Sequence, residues 1–233
     1  MLPGRVGRGA ELIRGDSVAV PLKQRVRCLQ LTGRNHGHGG WAEIDLEALR
    51  NNRAWMRHRD GSGVQVMTVV KADAYGHGLR EICSTLMQGG TDWFGVANLT
   101  EAAAIHRVGP GWPVLLLGPS LPGEVDEAIR SGVRATISSR AEAQTFSRAA
   151  VRLGATARLH VKVDTGMGRL GIGHREASSA VKAILRLPSV AVEGLFTHFA
   201  SVEDDVRATA GQLQRFGEVL TRLARARVRI PFT

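Results

Sequence analysis

Residues 69–78 read VVKADAYGHG, and the side chain there with chemistry to offer is Lys71. It follows an apolar, β-branched run, residues 64–70 (VQVMTVV), about as long as one buried strand, so the lysine arrives where an interior strand runs out. A lysine amine partly withdrawn from water is destabilised as the ammonium. Its pKa falls, and the neutral amine can attack a carbonyl to form an imine. A strand-end lysine can equally snorkel to solvent or pair with a carboxylate. Just beyond it, Tyr75 brings a hydroxyl, and Gly76 and Gly78 bring backbone freedom suited to main-chain N–H groups closing on an anion such as a phosphate.

Two further stretches carry candidate groups. Residues 164–173 (DTGMGRLGIG) contain Arg169, whose planar guanidinium can bind a carboxylate at two points and needs an anion nearby to hold it. An exposed loop arginine is the plainer reading. Lys162, two residues ahead of Asp164 in an alternating strand, can face solvent as readily as a site. His198 ends a later apolar run, where a histidine hydrogen-bonded to backbone is ordinary. Gly166, Gly168 and Gly171 also fit the dinucleotide-binding pattern GxGxxG, with Glu193 near the place of a ribose-binding acid. Asp164 and Thr165 intervene before the first glycine and four strand–helix units precede it, which argues against a nicotinamide site.

These groups must be carried by elements. Strand-like runs occupy residues 64–70, 92–97, 113–118, 134–138, 158–164, 190–198 and 228–232. Helical segments fall between them at 79–88, 100–108, 123–131, 139–153, 175–187 and 204–226, the fourth opened by a capping box at Ser139 and Glu142. Upstream, residues 41–44 read as a short strand and Asp45 as the N-cap of a helix whose Leu46, Leu49 and Trp55 share a face. Strands separated regularly by helices long enough for crossovers mean a parallel sheet. The even spacing favours an α/β fold of the (β/α)8 TIM-type barrel class over a doubly wound sheet. About seven strands are present, so the barrel is expected to be incomplete and the chain a fragment. Lys71, the 164–173 loop and His198 would then gather at one mouth, after the C-terminal ends of strands.

The 233 residues are 43% hydrophobic, enough for a real core, and carry a net charge of +10. Residues 1–40 hold seven Lys/Arg against Glu11 and Asp16, with eight glycines and no sustained period. They read as a basic, Gly-rich, disordered N-terminal extension, leaving 41–233 as the barrel domain. The remaining excess is arginine scattered along helices without aromatic interleaving, so no nucleic-acid partner is expected. Cys28 and Cys83 form no paired framework, which fits a reducing compartment, and His36 and His38 in a Gly-rich loop are a weak metal signal. No run approaches a membrane span or a signal-peptide core. A cytoplasmic protein is expected.

VVKADAYGHG closely resembles the lysine motif of the alanine racemases, pyridoxal phosphate enzymes built on a (β/α)8 barrel. HVKVDTGMGRLG (160–171), EGLFTHFASVEDD (193–205) and WAEIDLEALRNN (41–52) resemble the same family in the same order. The resemblance implies that Lys71 holds pyridoxal phosphate as an imine and serves as one of two bases interconverting L- and D-alanine, supplying D-alanine for peptidoglycan. It implies that Tyr75 binds the phosphate and that Arg169 reaches the cofactor's phenolic oxygen and the substrate carboxylate. It further implies that Lys162 is carbamylated in support of Arg169, and that His198 supports the arginine at the cofactor ring. In this family the opposite base is a tyrosine from a C-terminal β domain of the partner subunit in a homodimer. On this reading that domain is expected to be missing from the 233 residues, of which Tyr75 is the only tyrosine. Two other readings stand beside this one: a non-catalytic barrel protein that binds pyridoxal phosphate in cofactor homeostasis, and a truncated chain that does not fold stably.

Overall fold

In the computed structural model, residues 42–61 and 63–233 are described. The N-terminal extension, Cys28, His36, His38 and Trp41 lie outside them. Residues 42–45 carry no regular secondary structure. The expected strand at 41–44 is therefore not formed among the described residues, since a strand exists only where a partner takes its backbone hydrogen bonds.

The body from Leu46 onward is a parallel sheet dressed with helices. Its strands are β1 (Met67–Val69), β2 (Trp93–Val96), β3 (Val114–Leu116), β4 (Arg134–Ile137), β5 (Ala157–Asp164), β6 (Ile172–Gly173) and β7 (Val190–Phe196). Neighbours pair in the order β1-β2-β3-β4-β5, with β6 and β7 both on β5 and every pairing parallel. The helices are α1 (Leu46–Asp60), the single turn α2 (Lys71–Gly76), α3 (Leu79–Gln88), α4 (Leu99–Val108), α5 (Val125–Arg130), α6 (Arg140–Leu153), α7 (Ala177–Ile184) and α8 (Val206–Arg225). One βα unit after another lays its strand beside the last, the layout of a (β/α)8 barrel wall. The seventh expected strand, 228–232, contributes one parallel bridge, between Gly194 and Phe232. A short strand that the sequence pattern hides, β6, takes its place in the count.

Strands β2 and β3 are buried along their whole length, as parallel strands covered on both faces must be. The helices bury apolar stripes at helical spacing: Leu79, Ile82, Cys83 and Leu86 in α3, and Ala143, Phe146, Ala149 and Ala150 in α6. Ser139 caps α6 by accepting the Glu142 N–H at 3.1 Å, while the Glu142 carboxylate takes the N–H of Ser138 rather than that of Ser139. In α1 the apolar face departs from expectation. Trp55 is 61% exposed and lies under the Arg59 guanidinium, while Arg53 is the buried residue, donating to the carbonyl of Gly90. Among the described residues no helix is long and apolar enough to cross a membrane.

Candidate active site

Strand β1 delivers Lys71 to the C-terminal edge of the sheet. Val70 is buried and donates its N–H to the Gly95 carbonyl at 2.9 Å, so the last residue before the lysine is still held by β2. The chain then turns left-handed. Ala72, Asp73, Ala74 and Tyr75 have φ of 36°, 55°, 53° and 57°. For residues with a Cβ this conformation costs about 1–2 kcal/mol each, roughly 4–8 kcal/mol for the turn. Local hydrogen bonds offset it: Ala74 N–H to Val70 O at 3.0 Å, Gly78 N–H to Asp73 O at 3.1 Å and Leu79 N–H to Asp73 Oδ1 at 2.7 Å. Glu101 accepts the N–H of Ala72. The turn places Tyr75 beside the lysine, with Lys71 Nζ 5.5 Å from the ring centroid. Lys71 is exposed rather than half-buried as its strand-end position suggested.

The loop after β5 is built around Asp164. Its carboxylate accepts the N–H of Gly166 at 2.9 Å and of Gly168 at 3.1 Å. Burial opposes its charge, but these donors, with Met167 and nearby His174, outweigh burial and hold its carboxyl below the usual range. Gly171, at φ 127°, must be glycine, since an added Cβ would stand 2.6 Å from the Asp164 backbone nitrogen. The loop thereby folds back so that Ile172 and Gly173 pair with Val163 and Asp164, and Arg169 is left exposed at its tip. Inside it, Lys162 is 4% exposed, its Nζ 5.4 Å from the Phe196 ring centroid. Burial, then the positive charge of Arg169, lower its pKa against the opposing pull of Asp164.

His198 follows two residues after β7. Partial desolvation lowers its pKa, and then the charges of Lys162, Arg169 and Lys71 do. Lys71, Arg169 and His198 thus follow the ends of β1, β5 and β7, with Lys162 buried within β5. His198 also borders a 440 Å³ cavity reaching to Asp204.

Sequence reasoning missed the clamp beneath these loops. Gln212 of α8 is buried and makes three hydrogen bonds. Its Nε2 donates to Thr165 Oγ1 at 3.1 Å and to the His198 carbonyl at 3.0 Å, and its Oε1 accepts the Ala200 N–H at 2.9 Å. Thr165 and Thr197 join hydroxyl to hydroxyl at 2.7 Å, and Arg215 donates to the Thr165 carbonyl at 2.7 Å. The available signal was spacing. Gln212, Val219 and Leu223 form the buried stripe of α8, so the glutamine occupies a core position. The dinucleotide reading is overturned: no helix opens at the glycines, α7 begins only at Ala177, and Glu193 is engaged by Arg134 at 3.0 Å and Arg158 at 3.4 Å.

Lysine amines with an adjacent phenol and a guanidinium can bind a small dianion and present an amine to a carbonyl. Residues 44–233 match the family model described as alanine racemase, N-terminal domain. An alanine racemase of Halothermothrix orenii is 38% identical over 192 residues, which is 82% of this chain and 51% of that protein. One from Desulfosudis oleivorans is 41% identical over 197 residues, 80% of this chain and 50% of its own. Among solved structures, the alanine racemase of Clostridium difficile 630 in complex with cycloserine superposes with a TM-score of 0.74 at 29% identity, covering 79% of this chain and 51% of that one. The Bacillus anthracis alanine racemase with bound L-Ala-P gives 0.73 at 30% identity, covering 81% and 49%. The chain spans about half the length of the curated relatives it matches.

Proposed function

The chain belongs to the alanine racemase family, and from that premise we propose that it is the pyridoxal phosphate-holding barrel of an enzyme that interconverts L- and D-alanine. The observation that carries the reading is placement: Lys71, the loop bearing Arg169, and His198 follow the C-terminal ends of the parallel strands β1, β5 and β7, with Tyr75 beside the lysine. Such a donor set fits a ligand bearing a phosphate and a substrate bearing a carboxylate. Lys71 would anchor the cofactor and serve as the base on one face of the alanine α-carbon. Tyr75, beside it, would contribute its phenol to holding the phosphate, and Arg169 would hold the phenolic oxygen and the substrate carboxylate. The cofactor supplies the electron sink that makes the α-proton removable.

Lys162 is the residue whose charge works against this arrangement, since it repels Arg169. As a neutral amine it can add carbon dioxide with loss of a proton, and the resulting carbamate would turn the repulsion into an ion pair. His198 would support the arginine at the cofactor ring. The same reading makes the active protein a cytoplasmic homodimer. Titrating pyridoxal phosphate into the wild type and into Lys71→Ala, followed by absorbance, tests the proposal. Saturable binding that inorganic phosphate competes away and that Lys71→Ala loses would support it. Equal spectra for both proteins would reject it.

A further inference from the structure

We propose that Glu101 is a positioning residue for Lys71, an inference that rests on the pyridoxal phosphate reading above. Its carboxylate bridges two elements. Oε1 accepts the N–H of Ala72, the residue directly after Lys71, and Oε2 accepts the N–H of Ala97 at 2.8 Å, at the end of β2. Its own backbone is fixed, because the Asn98 side chain caps α4 by accepting the Glu101 N–H at 2.9 Å.

The effect falls on the peptide that carries Lys71. On one side of the lysine the chain is tied to β2, through the Val69–Gly95 pairing and the Val70 N–H to Gly95 carbonyl bond at 2.9 Å. On the other side Ala72 begins the left-handed turn, and Glu101 is the acceptor of its N–H. Held before and after, the Lys71 Cα–Cβ direction is set by the scaffold rather than by a mobile loop. An exposed lysine has little else to aim it.

Chemistry dictates the residue type. Both partners of the carboxylate are N–H donors, so both oxygens must accept. Glutamine keeps the shape but sets an NH2 against one N–H, and so satisfies one partner at the expense of the other. Aspartate keeps both acceptors and is one methylene too short to span them.

The test uses the whole chain as wild type, Glu101→Gln, Glu101→Asp and Ser139→Ala. The last loses the N-cap of α6 and serves as a control for general destabilisation. Each protein is incubated with pyridoxal phosphate and reduced with borohydride, which fixes the cofactor on whichever amine has condensed with its aldehyde and released water. Peptide mapping then gives the initial capture rate at Lys71 relative to exposed Lys182. We expect both Glu101 variants to lower that ratio about tenfold, the scale of losing one hydrogen bond to a charged group, while Ser139→Ala leaves it unchanged. Without cofactor, hydrogen exchange at the Ala72 amide should quicken in the Glu101 variants only. A ratio unchanged in the Glu101 variants, or lowered equally in Ser139→Ala, overturns the proposal while leaving the cofactor reading intact. Failure of the wild type to be captured at Lys71 overturns both.

Discussion

His160 gives the barrel interior an acid sensitivity whose size follows from its surroundings. The ring is 5% exposed, edge-on to Trp93 at 5.5 Å between centroids and stacked on Phe232 at 6.3 Å. Burial pushes its pKa from 6.5 to about 4, with Glu193 opposing and Arg134 adding to the shift. Its Nε2 has no hydrogen-bond partner, so no acceptor rewards protonation there. In the unfolded chain the same imidazole titrates near its ordinary value. Between these two values the unfolded state binds a proton that the native state refuses, so stability is full above about pH 6.5 and is lost as pH falls toward about 4. A gap of about 2.5 units corresponds to about 3 kcal/mol, a large part of a typical domain's net stability. Urea unfolding from pH 7.5 to 4, for the wild type and for His160→Phe, measures it; the phenylalanine keeps a stacking ring and cannot titrate. The wild type should lose about 3 kcal/mol more than the variant over that range. Identical pH dependence in the two proteins would refute the argument.

Other outcomes follow from single contacts. Gly194→Ala would set its Cβ 2.2 Å from His160 Nδ1, and should lower stability by about 1–3 kcal/mol in a thermal melt. Gln212→Leu removes three hydrogen bonds, which at about 1 kcal/mol each predicts a loss of roughly 3 kcal/mol, with faster hydrogen exchange at Ala200. Arg169→Gln deletes one of the charges repelling the His198 proton, so the His198 pKa, followed by its NMR ring signals, should rise toward the ordinary value. Burial pushes the Cys83 thiol up to about 12, so it should resist thiol reagents at pH 8 until the protein unfolds.

Much of this architecture is legible from periodicity because parallel strands buried on both faces announce themselves as apolar runs. Helix α3 falls on residues 79–88 as expected, and β5 ends at Asp164 as expected. What stayed hidden has identifiable causes. The left-handed turn at 72–75 contains no glycine, and a single Asp73 is a weak signal for four such residues; the turn is stabilised by the Asp73 carboxylate and by Glu101, distant in sequence. Strand β6 is two residues long and exists because Gly171 lets the loop fold back on β5. The exposed position of Lys71 could not be read from the strand before it. Glu101 and Gln212 look in sequence like an ordinary helix-start acid and a polar helix residue, and their roles appear only when backbone groups distant in the chain are brought to them.

The most direct measurement is hydrogen–deuterium exchange at the alanine α-carbon. The chain is incubated with pyridoxal phosphate in deuterated water, and α-deuterium is followed separately in D-alanine and in L-alanine, against Lys71→Ala. A base on one face predicts exchange that depends on Lys71 and strongly favours one enantiomer, D-alanine. Exchange equal in rate for wild type and Lys71→Ala would contradict the assignment of Lys71 as the proton-transferring group.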